Sequence, residues 1–268
     1  MKDKNKLSTI YTSDEYINFN ESSYKNIRSS PSQRALIISK FIKKNKIKSV
    51  LDAGCSTGGL IKFLNKRNKN TDFYGCDISP IIINKIKNDP TLYKNQFFID
   101  DVTNFKNTKR FDLILCFGLL QFVHNPLEVI NKISKNLNSN GYLIIANQNF
   151  FFTFVSFNQI AANFLKKIPN LKNKKFLELS KHFIKNNSEF NINKYYSPKY
   201  NNIEILNPLY LSEHFNGKNY KMNYIYSDYY NYHSNFSKTN KKNSNSQKSK
   251  WKKNFFSSAM LNFFQKKK

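Results

Sequence analysis

The sequence predicts an α/β fold: a mostly parallel sheet of seven strands with helices on both faces and an antiparallel last strand. Three observations carry this expectation. Between Ser49 and Asn147 short apolar runs alternate with amphipathic stretches, the pattern of a parallel sheet covered on both sides. Pro80 and Pro126 stand at the start of two of those stretches, where a missing N–H costs a helix nothing. Two later strand-like runs, Met222 to Tyr230 and Phe255 to Phe264, joined as a long hairpin, would finish the sheet with its antiparallel member.

Taken in order, a helix is expected from Ser32 to Lys44, before the first strand. The strands read Ser49 to Ala53, Phe73 to Asp77, Gln96 to Asp100, Phe111 to Phe117 and Tyr142 to Ala146. Helices between them read Gly59 to Asn68, Pro80 to Asn88 and Pro126 to Leu137, each with apolar residues three or four apart. Beyond Asn147 an aromatic, helix-compatible stretch covers Phe150 to Ile168, and Asn207-Pro208 opens a short helix through Phe215. Ser237 to Lys250 is polar and of low complexity, which predicts a mobile loop. No internal repeat is visible.

The chain has 268 residues, 40 % of them hydrophobic and 16 % aromatic, enough to bury a full core. Lys and Arg number 44 against 17 Asp and Glu, a net charge of +27, which on its own suggests an anionic partner. Only Arg28, Arg34, Arg67 and Arg110 are arginines, however, and the lysines are scattered among Asn, Ile, Phe and Tyr throughout. That mixture matches the residue usage of an AT-rich genome, whereas a phosphate-binding surface concentrates arginine forks. A nucleic-acid partner is therefore admitted but not favoured. Cys55, Cys76 and Cys116 lie within apolar runs without ligand spacing, so neither a disulfide nor a metal site is expected. No signal-peptide core and no window of spanning length occurs, and a cytoplasmic protein without a membrane span is expected.

The strongest signal is VLDAGCSTGGL, Val50 to Leu60: a buried strand, a small-residue turn and an amphipathic helix. Such a turn lets the backbone approach a ligand closely. The glycines Gly54, Gly58 and Gly59 do not have the G-x-G-x-x-G spacing that cradles a pyrophosphate. A second acidic residue, Asp77 in FYGCDIS, follows Asp52 by 77 − 52 = 25 residues, near the ~20 typical of a carboxylate that grips ribose hydroxyls. The competing reading of Asp77 is a helix cap before Pro80, for which Ser79 is the better residue.

These segments resemble the class I, Rossmann-like S-adenosylmethionine-dependent methyltransferases, of the type that acts on small molecules. Asp52, Gly54, Ser56 and Gly58 occupy the acidic-G-x-G-x-G positions of the family's first motif, with Ser56 in place of the middle glycine. The resemblance implies that Asp52 orients the methionine ammonium and that Gly54, Cys55, Ser56 and Gly58 run along the methionine and ribose. FIDDVTNF resembles the segment that meets the adenine amino group: Asp101 and Val102 fit best, Asp100 is the alternative, and Ile78 would wall the ring. FDLILCFGLLQFVHNP resembles the segment facing the sulfur, which implicates Cys116, Phe117 and Gln121, with Gly118 between them. LNSNGYLIIA matches the turn before the fifth strand, retaining Gly141. The resemblance divides the single domain 1–268 into an N-terminal cap and helix at 1–47, a cofactor core at 48–149, and substrate-covering helices with the last two strands at 150–268.

Methyl transfer from a sulfonium is an in-line displacement that chiefly needs alignment and exclusion of water. A base helps a hydroxyl acceptor, and His124, the sole histidine of the cofactor half, is the candidate; a solvated loop histidine is the plain alternative. After the fourth strand the chain reads Cys116-Phe117-Gly118-Leu119 and not Asn/Asp-Pro-Pro-aromatic, which disfavours amino methylation of bases, and Leu115 before Cys116 disfavours a cytosine-attacking thiol. The implied acceptor is a small molecule, with a sugar or polysaccharide precursor suggested by likeness. An RNA methyltransferase and a noncatalytic protein of the same fold remain the alternative readings.

Overall fold

The structure, a computed structural model, describes residues 14–27, 29–92, 94–148, 220–228 and 259–266. The helices expected at Phe150 to Ile168 and Asn207 to Phe215, and the loop expected at Ser237 to Lys250, lie outside them.

Seven strands form one sheet in the order β3-β2-β1-β4-β5-β7-β6. They are β1 (Ser49–Ala53), β2 (Asp72–Asp77), β3 (Gln96–Ile99), β4 (Phe111–Phe117), β5 (Leu137–Gln148), β6 (Tyr220–Asp228) and β7 (Ala259–Lys266). β1 to β5 pair in parallel, and β7 runs antiparallel to both neighbours. The chain steps outward from β1 to β3 and then returns to β4 beside β1. This reversal opens a crevice beyond the carboxyl ends of those strands, where ligands bind in sheets of this type.

The described helices are α1 (Asp14–Ser23), α2 (Ser30–Lys44), α3 (Gly59–Asn65), α4 (Pro80–Lys87) and α5 (Pro126–Ser134). Three start on a side-chain cap followed by proline. The cap oxygens of Ser29, Ser79 and Asn125 accept from the backbone N–H of Ser32, Ile82 and Glu128. Both faces of the central strands β1, β2 and β4 are buried, so they read as nearly continuous apolar runs. Val50, Leu113 and Leu115 pack with Ile38, Leu64 and Ile83 on one face. Leu51, Ile114 and Cys116 pack with Ile130 and Ile133 on the other.

Most boundaries shift by a few residues from the sequence expectation, and two of the shifts have local reasons. β5 begins at Leu137, because Leu137 pairs with Phe111 and the chain then bulges until Tyr142 meets Leu113. The expected turn is thus a bulge within the strand, with Asn140 at φ 62 and the Asn138 amide donating to Asp112 Oδ1 at 2.7 Å. α5 correspondingly stops at Ser134, since Leu137 is drawn into the sheet. No helix among the described residues is long and apolar enough to cross a membrane.

Candidate functional site

The segment between β1 and α3 is a tight turn anchored to β2. The N–H groups of Gly54 and Cys55 both donate to the Cys76 carbonyl at 2.9 Å, and Gly58 N–H closes back on the Cys55 carbonyl at 2.9 Å. Gly54 has φ 77, and a Cβ there would come within 3.2 Å of Leu119 Cδ2, so both torsion and space call for glycine. Ser56, the departure from the middle glycine, takes φ 44, a region disfavoured for a residue with a Cβ.

Asp77 sits at the carboxyl end of β2 and bridges two turns. Its Oδ2 accepts from Ser56 N–H and its Oδ1 from Ser79 N–H, each at 3.0 Å. Ser79, not Asp77, caps α4. Each carboxylate oxygen retains a second lone pair for a ligand hydroxyl. Burial raises the Asp77 carboxyl above the ordinary value, against the pull of the Ser79, Ser56 and Ile78 N–H groups.

Asp52 lies on β1 with 3 % exposure. Among the described residues no donor reaches its carboxylate. Burial, reinforced by the like charge of Asp77, pushes it up to about 7. A buried carboxylate beside a part-buried one, without a cation among the described residues, makes an electrostatically incomplete site, which suits a cationic, hydrogen-bond-donating ligand.

The remaining predicted residues gather around this centre to differing degrees. Ile78 follows β2 and is 52 % exposed, an open apolar side chain beside Asp77. The Asp101 carboxylate accepts from Thr103 N–H at 2.8 Å and from its hydroxyl at 2.7 Å, capping a one-turn 3-10 helix at Val102–Asn104. Asp100 Oδ2 accepts from Lys106 and Asn107 N–H. Both therefore have local work, while the Val102 side chain is core. Cys116 has no exposure and Cys55 only 5 %, so only their main chain is open to a ligand, and burial drives both thiols well above their ordinary value. Phe117 is half-buried at the end of β4. Gln121, 3 % exposed in a second 3-10 turn, has no partner for its Oε1 among the described residues, a second unsatisfied group. His124 is exposed just before α5. No cluster of potential metal ligands occurs among the described residues.

Four further residues border the turn or the crevice, of which Ile99 and Asn20 escaped the sequence reading. A Cβ built on Gly118, at φ 60, meets no atom of the described residues within 4 Å, so among them the end of β4 is open. Ile99, in register with Asp77, is 52 % exposed, a second open apolar residue at the crevice. Asn20 of α1 donates to Ser56 Oγ at 2.8 Å. Tyr24 packs so closely on Gly59 that a Cβ there would lie 2.8 Å from its ring. For Ile99 the signal was available, since its strand ends at the same level as Asp77. For Asn20 no sequence signal exists, because its partner is 36 residues away.

Comparison with known proteins agrees with this geometry. Residues 29–221 match the family model described as a methyltransferase domain. A malonyl-[acyl-carrier protein] O-methyltransferase of Ilyobacter polytropus is 28 % identical over 97 residues, 35 % of either chain. A carboxy-S-adenosyl-L-methionine synthase of Campylobacter jejuni is 30 % identical over 118 residues, 41 % of this chain and 47 % of that protein. The chain thus aligns with between about a third and half of these relatives' length. Among solved structures, the plantazolicin methyltransferase BpumL in complex with a monoazolic desmethylPZN analog and SAH has a TM-score of 0.52 at 16 % identity, covering 98 % of this chain and 94 % of that one. The methyltransferase domain of bacterial CtHen1-C gives 0.52 at 13 % identity, covering 88 % and 98 %. These structural likenesses speak for the fold. With the family model spanning well over half of its length, the chain belongs to the methyltransferase domain family.

Proposed function

We propose that the protein is an S-adenosylmethionine-dependent methyltransferase acting on a small-molecule acceptor. The observation that carries this reading is the pair Asp52 and Asp77: a buried and a part-buried carboxylate at adjacent strand ends, around a glycine turn, without a cation among the described residues. The residues fit the cofactor: its ammonium and sulfonium match the acidic centre, its ribose the Asp77 oxygens, and its adenine the open faces of Ile78 and Ile99. When bound, it supplies an electrophilic methyl group.

This chain's residues then hold and orient. Asp52 counters the methionine ammonium, with the main chain of Gly54, Cys55, Ser56 and Gly58 alongside. Asp77 accepts from the ribose hydroxyls, and Asp101 with the Val102 N–H reads the adenine edge. Cys116, Phe117 and Gln121, with the open Gly118, border the space left for the acceptor. His124 takes the proton of a hydroxyl acceptor. The same reading keeps 1–268 as one domain and favours a sugar or polysaccharide precursor within the small-molecule class.

One placement favours a small molecule over RNA. Among the described residues Lys43, Lys44, Lys46, Lys48, Lys66, Arg67, Lys109 and Arg110 lie at the amino ends of β1, β2 and β4. The acidic crevice lies at the opposite ends, so phosphates gathered on those cations would not deliver a base to it.

Calorimetric titration with S-adenosylmethionine and S-adenosylhomocysteine tests the reading. Binding in the micromolar range is expected, and no heat at millimolar ligand would sink it. A screen of small-molecule extracts for radiolabelled methyl incorporation then identifies the acceptor class.

A further inference from the structure

We infer that Asn20 is a positioning residue: its amide ties helix α1 to Ser56 and thereby sets the grip of the cofactor turn. The inference rests on the proposed cofactor reading and extends it to a residue outside the motifs.

The argument follows a chain of three contacts. Asn20 Nδ2 donates to Ser56 Oγ at 2.8 Å. Ser56 is held at φ 44, where a Cβ-bearing residue is disfavoured, so the turn needs an outside interaction to keep it there. In that conformation Ser56 N–H reaches Asp77 Oδ2, at 3.0 Å. A glycine at 56 would reach it without help; serine brings the strain and also the hydroxyl through which α1 relieves it.

A second contact shows that α1 is seated on this turn rather than passing near it. Tyr24, just beyond α1, leaves no room for a Cβ on Gly59 and lies with its ring centroid 6.1 Å from that of Phe63. The first residue of α3 and the middle of the turn are thus both covered from one side. Because the same bond orders α1 and the Asp77 partner, ligand binding and docking of α1 favour each other reciprocally.

The test is a double-mutant cycle read by S-adenosylhomocysteine affinity. Asn20→Ala should weaken binding about tenfold, the scale of one partly buried hydrogen bond. In a Ser56→Gly background, where the backbone needs no latch, Asn20→Ala should change affinity by less than about twofold. Ser56→Ala, which removes the acceptor but keeps the strain, should reproduce the loss. Equal losses in both backgrounds, or no loss in Asn20→Ala, would overturn the inference, since a general scaffold role for Asn20 would not be suppressed by glycine at 56. Hydrogen exchange on the ligand-free protein separates this from failure of the cofactor reading. Asn20→Ala must speed exchange in peptides covering 14–23 and 54–60, and unchanged exchange there refutes the latch even if the wild-type protein binds no ligand.

Discussion

Replacing Asp52 with Asn should make the ligand-free protein more stable at neutral pH while abolishing cofactor affinity. Burial beside Asp77 raises the carboxyl from 3.8 to about 7. A group whose folded-state value is raised stabilises the native state fully below the unfolded value and loses that contribution as pH climbs through the folded one. The native state therefore holds nearly one more proton than the unfolded chain between pH 5 and 6 and about half of one at pH 7, so stability falls by up to 1.36 kcal/mol per pH unit, about 2.3 kcal/mol in all. Asparagine has no proton to lose. The gap between variant and wild type, read from urea denaturation at pH 5, 6 and 7, should widen in favour of the variant by that amount, allowing for solvent relaxation that trims it to about 2 kcal/mol. The same variant should show no S-adenosylmethionine heat at ligand concentrations that saturate the wild type. A gap constant across this pH range would refute the buried, unmatched carboxylate.

Further outcomes follow from the same site. Binding of S-adenosylmethionine should release close to one proton at pH 6 and far less at pH 8, because the ligand's positive charge draws Asp52 back to its ionised form; calorimetry in buffers of different ionisation enthalpy measures this, and equal proton release at both pH values would contradict it. Gly118→Ala should cost only about 1 kcal/mol in urea denaturation, the left-handed torsion being its sole fault, yet lower cofactor affinity or turnover by more than that cost predicts, since its methyl enters the open space. His124→Ala should cut turnover of a hydroxyl acceptor by at least ~100-fold with cofactor affinity unchanged, and full activity would remove His124 as base.

Much of the fold was legible in local signals. Val50, Leu51 and Leu113 to Leu115 announced strands buried on both faces, and Ser79-Pro80 and Asn125-Pro126 announced helix starts. The ends of β1 and β4 came out at the expected residues, since apolar runs and turn residues bound them sharply. The bulge at Asn138 to Gly141 was not legible as such, because only pairing with β4 turns that turn into part of a strand.

The amino-acid sequence by itself determined the strand-turn-helix at Val50 to Leu60, the two carboxylates after adjacent strands, and hence the family. Those features rest on torsional freedom and apolar periodicity, which act between near neighbours along the chain. Tertiary structure alone decided that the Asp52 carboxyl is pushed up by burial, that Asp77 clamps Ser56, and that Asn20 reaches the turn across 36 residues. Desolvation and cross-element hydrogen bonds depend on what packs around a group, and that environment exists only once the sheet and α1 are assembled.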